Sequence, residues 1–173
     1  MTSRACRRGW VVGLLWMIAG LGVSGCGQTY VIKSRFEAAD VEWAKGSGTA
    51  ELRGQAFLMT VGGTPRTCAG ELVTMMPNIA RSREETSAWM NPYIARVQRE
   101  ASSPPIPMRT TQCDASGNFR FRNLPAGDWL LITRVEWLVP YGRLSDKQGG
   151  FVRGFASTKP GEAEEVLLTD RSY

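Results

Sequence analysis

Between Gly48 and Leu168 the apolar residues recur at every second position, in short runs closed by Gly, Pro or Asn. Period two is the signature of strands with one face buried. Ala50 and Leu52, then Ala56 and Leu58, mark a first strand over 49–60, with Gly54 placed for a bulge. The turn 61–65 leads to a second strand over 67–77, which Pro77 stops. Strands resume at 108–113. Phe119 and Phe121 alternate with Arg, and 128–139 is a long strand ended by Pro140. Residues 149–157 and 162–168 read as a last hairpin around Lys159-Pro160-Gly161. About seven short strands separated by turns specify a mainly β chain, a β-sandwich.

Residues 78–107 interrupt the strand rhythm and read as a short helical insertion. Ser82 and Glu85 have capping-box spacing, and Asn91-Pro92 suits an N-cap followed by Pro at the first helical position. Trp89, Met90, Tyr93, Ile94 and Val97 share one helical face. Two short helices, or one kinked at Pro92, satisfy these signals. Ser102 to Pro107 is an extended return. The stripe either covers an open face of the sandwich or leaves Trp89 and Tyr93 free for a partner, aromatic rings being strong interface residues.

The first 25 residues do not belong to the domain. Arg4, Arg7 and Arg8 precede an apolar stretch from Trp10 to Val23, a signal-peptide pattern too short for a comfortable membrane span. Val23-Ser24-Gly25-Cys26 resembles the bacterial lipobox. That resemblance implies cleavage before Cys26 and acylation of both its thiol and the new amino terminus, enough chains for stable anchoring. Gly27 stands where Asp would signal inner-membrane retention in enteric-type bacteria, so the outer membrane is the expected address. Residues 26–47 are then the lipidated Cys and a tether, with docking beginning at Val41 and Trp43. The domain proper is 48–173.

Composition narrows the chemistry. The 173 residues include no His. This removes Ser–His–Asp and Cys–His catalysis, His-ligated zinc and the commonest general base; no cofactor or metal is expected. Cleavage of the leader removes three Arg and leaves 18 basic and 16 acidic groups. No basic stripe survives, so nucleic acid is not expected as a partner. Once Cys6 is removed and Cys26 carries lipid, Cys68 and Cys113 remain. In an oxidising compartment they form a disulfide, worth roughly 2–4 kcal/mol through the loop it closes. The alternative is two buried free thiols.

Asp114, Ser116 and Asn118 present oxygens at alternate positions, but a calcium loop needs a Glu where Pro125 stands; turn chemistry is the stronger reading. Trp43, Trp89, Trp129 and Trp137 invite comparison with a sugar-stacking platform, against which core packing is weighed. Glu84/Glu85 and Glu164/Glu165 are sequence neighbours whose side chains diverge, which disfavours a catalytic carboxylate pair.

The segment from Thr111 to Leu131 resembles the signature of carboxypeptidase-regulatory-like domains, in which Asp114, Gly117, Phe119, Phe121, Leu124, Pro125 and Gly127 fill the pattern and Trp129 stands for the usual Tyr. The resemblance implies a prealbumin-like (transthyretin-like) sandwich over about 48–169. In metallocarboxypeptidases that domain is an accessory beside a zinc peptidase whose ligands include His. No peptidase activity follows here. The expected protein is a lipid-anchored envelope protein with a non-catalytic binding or scaffolding module. Its expected partners are the membrane through the anchor and an envelope protein or a glycan. The alternative is a carbohydrate-binding module or an accessory domain of an envelope enzyme system.

Overall fold

The structure, a computed structural model, describes residues 28–101, 103–141 and 144–169. The leader and Cys26 lie outside them. Two sheets face each other. Sheet I contains β2 (Ala50–Met59) at its centre, paired with β10 (Ala163–Leu168) in parallel and with β7 (Asn118–Leu124) and the short β3 (Pro65–Thr67) antiparallel. Sheet II runs β6 (Arg109–Gln112), β4 (Leu72–Pro77), β8 (Gly127–Tyr141), β9 (Leu144–Thr158), all antiparallel. The expected mainly β sandwich is present.

Alternation explains which residues fill the core. Leu52 and Ala56 of β2 and Phe119 and Phe121 of β7 point inward from sheet I. Val73 and Met75 of β4 and Trp129, Leu131 and Val135 of β8 meet them from sheet II. The intervening Met76, Leu130 and Ile132 are equally buried, on the outer face of sheet II. A strand covered on both faces reads as a continuous apolar run rather than an alternation, which accounts for Met75-Met76 and Leu130-Leu131-Ile132.

The second cover is the insertion. Helix α1 (Ala80–Met90) brings Trp89 and Met90 against Met76, Leu130 and Ile132, with Ile106 and Phe151 beside them. The molecule therefore has three layers: α1 with its neighbours, sheet II, sheet I.

Several expectations are corrected. The chain does not re-enter a helix at Pro92. Asn91 is the C-cap of α1, and Ile94–Gln98 form β5, because they find a strand partner in β1 (Gln28–Val31). Residues 28–45 are accordingly no free tether: β1 pairs with β5, and a 3-10 helix, Ala38–Lys45, buries Val41 and Ala44. The capping box fails because α1 starts earlier. Ser82 lies inside it, fully buried, and Glu85 turns to Arg81 and Arg99.

The expected strand 67–77 is two strands, since the chain leaves sheet I at Thr67 and joins sheet II at Leu72. Pro140 does not end β8. The neighbour β4 pairs with β8 only over 129–132, so farther on β8 has an open edge where Pro is tolerated. Residues 159–162 do not turn a hairpin; they arch from β9 in sheet II to β10 in sheet I. The register shift in β2 falls between Ala50 and Leu52, not at Gly54.

The Cys68–Cys113 disulfide is formed, with Cα atoms 5.8 Å apart. It joins the chain just beyond β3 to the chain just beyond β6, and so links sheet I to sheet II. Gly117 turns the chain into β7 with φ +79°, and a Cβ there would lie 2.6 Å from Thr67; both facts require glycine.

Candidate binding groove

The inward alternation of sheet I dictates what its outer face carries. With Leu52 and Ala56 turned in, Arg53 and Gln55 turn out; with Phe119 and Phe121 in, Asn118 and Arg120 turn out. Register brings them together: Arg120 lies opposite Arg53, Asn118 opposite Gln55, and Glu165 of β10 flanks Arg53 on the other side. The result is an open groove of about 740 Å³ across β7, β2 and β10, closed at one end by Thr111, Gln112 and Asp114. Leu167 supplies outward apolar wall, and Phe119 and Val166 line the groove from strand positions whose side chains face the core. Its size is that of small-molecule sites, which pair apolar surface with a few placed polar groups. Behind the groove floor, Gly54 shares the inward parity of Leu52 and Ala56 and faces Phe119. A Cβ there would sit 2.4 Å from the Phe119 ring and 2.5 Å from the Val166 carbonyl oxygen.

Fixed charges organise the groove. Glu51 accepts from Arg120 Nη2 at 2.7 Å and also binds Arg53. Hydrogen bonds from Arg120 and then Arg53 hold its carboxyl down at about 2. The pair of guanidiniums is thereby kept in place with further N–H donors to spare. Gln55 Nε2 donates to the Ser116 carbonyl at 3.0 Å, and Gln112 Nε2 to the Gly70 carbonyl at 2.9 Å. Each amide keeps its own carbonyl oxygen as an acceptor. Asp114 is occupied by the turn: Oδ1 accepts the Ser116 and Asn118 amides, both at 2.8 Å. The Asn118 amide is the main cause of its lowered pKa. This is Asx-turn chemistry, not a calcium loop. Among the described residues no group of three or more His, Cys, Asp or Glu is placed to hold a metal.

The groove can therefore grip a ligand by several hydrogen bonds of both polarities. A general-acid carboxyl needs its pKa raised toward neutrality; among the described residues the carboxyls whose pKa moves, Glu51, Glu84, Glu85 and Asp114, all move down. Glu84 and Glu85 diverge, one to the backbone beyond β1 and one to Arg81 and Arg99.

The residues singled out from sequence lie elsewhere. Trp89 is half-buried in the outer cluster of sheet II, with the Arg99 guanidinium 5.9 Å from its ring centre. Tyr93, between α1 and β5, is 78% exposed. The two do not form one surface stripe, because Ile94 and Val97 belong to a strand. Trp129 is core, and Trp43 packs edge-on against it at 4.8 Å. Trp137 is packed on the same core. None of the described Trp rings joins a stacking platform. The groove residues escaped sequence reading because their outward direction is legible but the pairing of β7, β2 and β10, from distant parts of the chain, is not.

No family model matches the chain, and no curated protein matches it. Among solved structures it is similar to a proposed carbohydrate-binding protein from Pseudomonas aeruginosa, with a TM-score of 0.63 and 18% identity over 78% of this chain and 97% of that one. At that identity the likeness is one of fold.

Proposed function

We infer that this chain is a lipid-anchored envelope protein, exported and acylated at Cys26, whose sandwich binds a hydroxyl-rich ligand of the glycan type without chemistry of its own. The observation that carries the binding reading is the groove, with guanidinium donors from Arg53 and Arg120 set beside amide carbonyls of Gln55 and Gln112. Sugar hydroxyls need donors and acceptors together. With Trp129 buried and Trp43, Trp89 and Trp137 packed against the two apolar clusters and away from the groove, recognition there is a matter of hydrogen bonds rather than ring stacking. The similar fold of the proposed carbohydrate-binding protein supports the same ligand class. The resemblance to carboxypeptidase-regulatory-like domains supports an accessory, non-catalytic role. The absence of His from the sequence and the lowered carboxyl pKa values agree with binding rather than turnover.

The test is a panel of neutral and acidic envelope oligosaccharides titrated against the mature protein. Arg120→Ala and Gln55→Ala are expected to weaken binding about tenfold each, the scale of a lost hydrogen bond to a charged or polar group, with thermal stability nearly unchanged. Binding that both variants retain in full would place the ligand elsewhere, and a panel without any binder would remove the glycan reading.

A further inference from the structure

The insertion grips the segment that follows Cys26. β1 runs parallel to β5, with Gln28 opposite Ile94 and Val31 opposite Gln98. Beyond the strand, the Ile32 amide donates to the Gln98 carbonyl at 3.0 Å, and Ile32 is buried. Glu84 of α1 accepts the Lys33 amide at 2.9 Å, the Ser34 amide at 2.7 Å and the Tyr30 hydroxyl at 3.0 Å. Burial opposes its ionisation, but hydrogen bonds from Ser34, Lys33 and Tyr30 outweigh that and hold the carboxyl at about 2. Arg81, itself buried, donates to the Ser34 carbonyl at 2.8 Å. Residues 28–34 are thus held by a strand, a carboxylate and a guanidinium. A spacer meant to let a domain swing free would carry none of these.

Chain length turns this grip into a statement about orientation. One residue, Gly27, separates Cys26 from β1, so the Cα atoms of Cys26 and Gln28 lie within about 7 Å of each other. On the anchor reading given above, on which this inference rests, the acyl chains hold the start of β1 at headgroup level. Beside Gln28 in the register stands Ile94, and next to it Tyr93, in the turn from α1 to β5. Tyr93 is exposed. Arg96, opposite Thr29, is exposed too and forms no ion pair among the described residues. An amphipathic aromatic ring belongs at a membrane–water interface, and an exposed guanidinium three positions on along the same segment is drawn to anionic headgroups.

We propose that Tyr93 and Arg96 dock on the headgroup layer of the bilayer that holds Cys26, and that the insertion is a clamp fixing the domain on that surface. The groove lies on the outer face of sheet I, across both sheets from the insertion, and so stays clear of the surface on which the clamp rests.

The mature lipidated protein, reconstituted in vesicles of phosphatidylethanolamine and phosphatidylglycerol, carries a nitroxide at Tyr93→Cys or at Leu167→Cys with the native disulfide intact. Leu167 lies on the outer face of sheet I. The ratio of accessibility to oxygen over accessibility to a water-borne relaxing agent is expected to be several-fold higher at 93 than at 167. In Glu84→Ala, which frees residues 30–34, the two ratios are expected to converge. Equal ratios in the parent protein, with the protein still floating with its vesicles, overturn the docking and leave the anchor standing. A label at 93 shielded from both agents means a protein contact and also overturns it. A folded Glu84→Ala that keeps the parental difference overturns the clamp; if that variant does not fold, the comparison of 93 with 167 still decides the docking. Failure of the protein to acquire lipid, or flotation unchanged by Cys26→Ser, removes the anchor reading itself and this inference with it.

Discussion

Glu85 shows how much one carboxylate organises. It accepts from Arg81 Nε at 2.7 Å and takes Arg99 in a two-point grip at 3.0 and 2.8 Å. Arg81 and Glu85 are 2% and 3% exposed. Burial pushes the Glu85 carboxyl up, but Arg99 and Arg81 pull it further down. Removing one member of a buried pair strands the other charge, a loss of about 3–5 kcal/mol. Glu85→Ala is expected to lower the unfolding free energy by about that amount in urea titrations, whereas a loss below about 1 kcal/mol, the scale of an exposed pair, would mean water reaches Arg81. That Glu84 and Glu85 diverge was legible, since adjacent helical residues point in different directions. Their destinations were not, because Ser34 and Arg99 are brought to α1 by a strand pairing that no local pattern announces.

Among the elements, β2 and β7 were readable because burial and period agree, inward apolar, outward polar, turn residues at the ends, and β8 because a long apolar run follows a turn at Gly127. The region 89–97 was misread for the converse reason. Trp89, Met90, Tyr93, Ile94 and Val97 have helical spacing, yet 94–98 becomes a strand because 28–31 pairs with it. Likewise β9 and β10 look like a hairpin until β2 captures β10. The Cys68–Cys113 link depended on compartment and parity in the sequence and is set in a short backbone ladder in the structure: Gly70 donates to the Cys113 carbonyl at 3.1 Å, and Cys113 to the Glu71 carbonyl at 2.9 Å. Since those bonds survive without sulfur, Cys68→Ser with Cys113→Ser is expected to keep the far-ultraviolet dichroism of the parent. Its unfolding free energy falls by roughly 2–4 kcal/mol, most of it from the freed unfolded chain. An unchanged denaturation midpoint would show that the bond constrains nothing.

At the scale of the whole molecule, the carboxylates set how stability follows pH on the acid side. Glu51, Glu84, Glu85 and Asp114 all hold their protons less tightly when folded than when unfolded. Their contribution is complete above the ordinary carboxylate range and is lost as pH falls through their lowered values, about 2 for Glu51 and Glu84. With no His in the chain, no side chain with an ordinary pKa titrates between about pH 5 and 8. The melting temperature is expected to be flat across that window and to drop below it; a step inside the window would contradict this reading. The outline of the sandwich, then, was written in local alternation, while its closure and its groove depend on which strands meet. Closure has a temporal side. β10 lies beside β2, Ala163 against Glu51, more than a hundred positions apart along the chain. Contacts that distant form late and make folding slow. A chain that emerges N-terminus first, as every chain does in synthesis, cannot complete sheet I until residues 163–168 have emerged. Until then β2 has an open edge, a site for wrong pairing, so this topology leaves the emerging chain dependent on protection until β10 arrives.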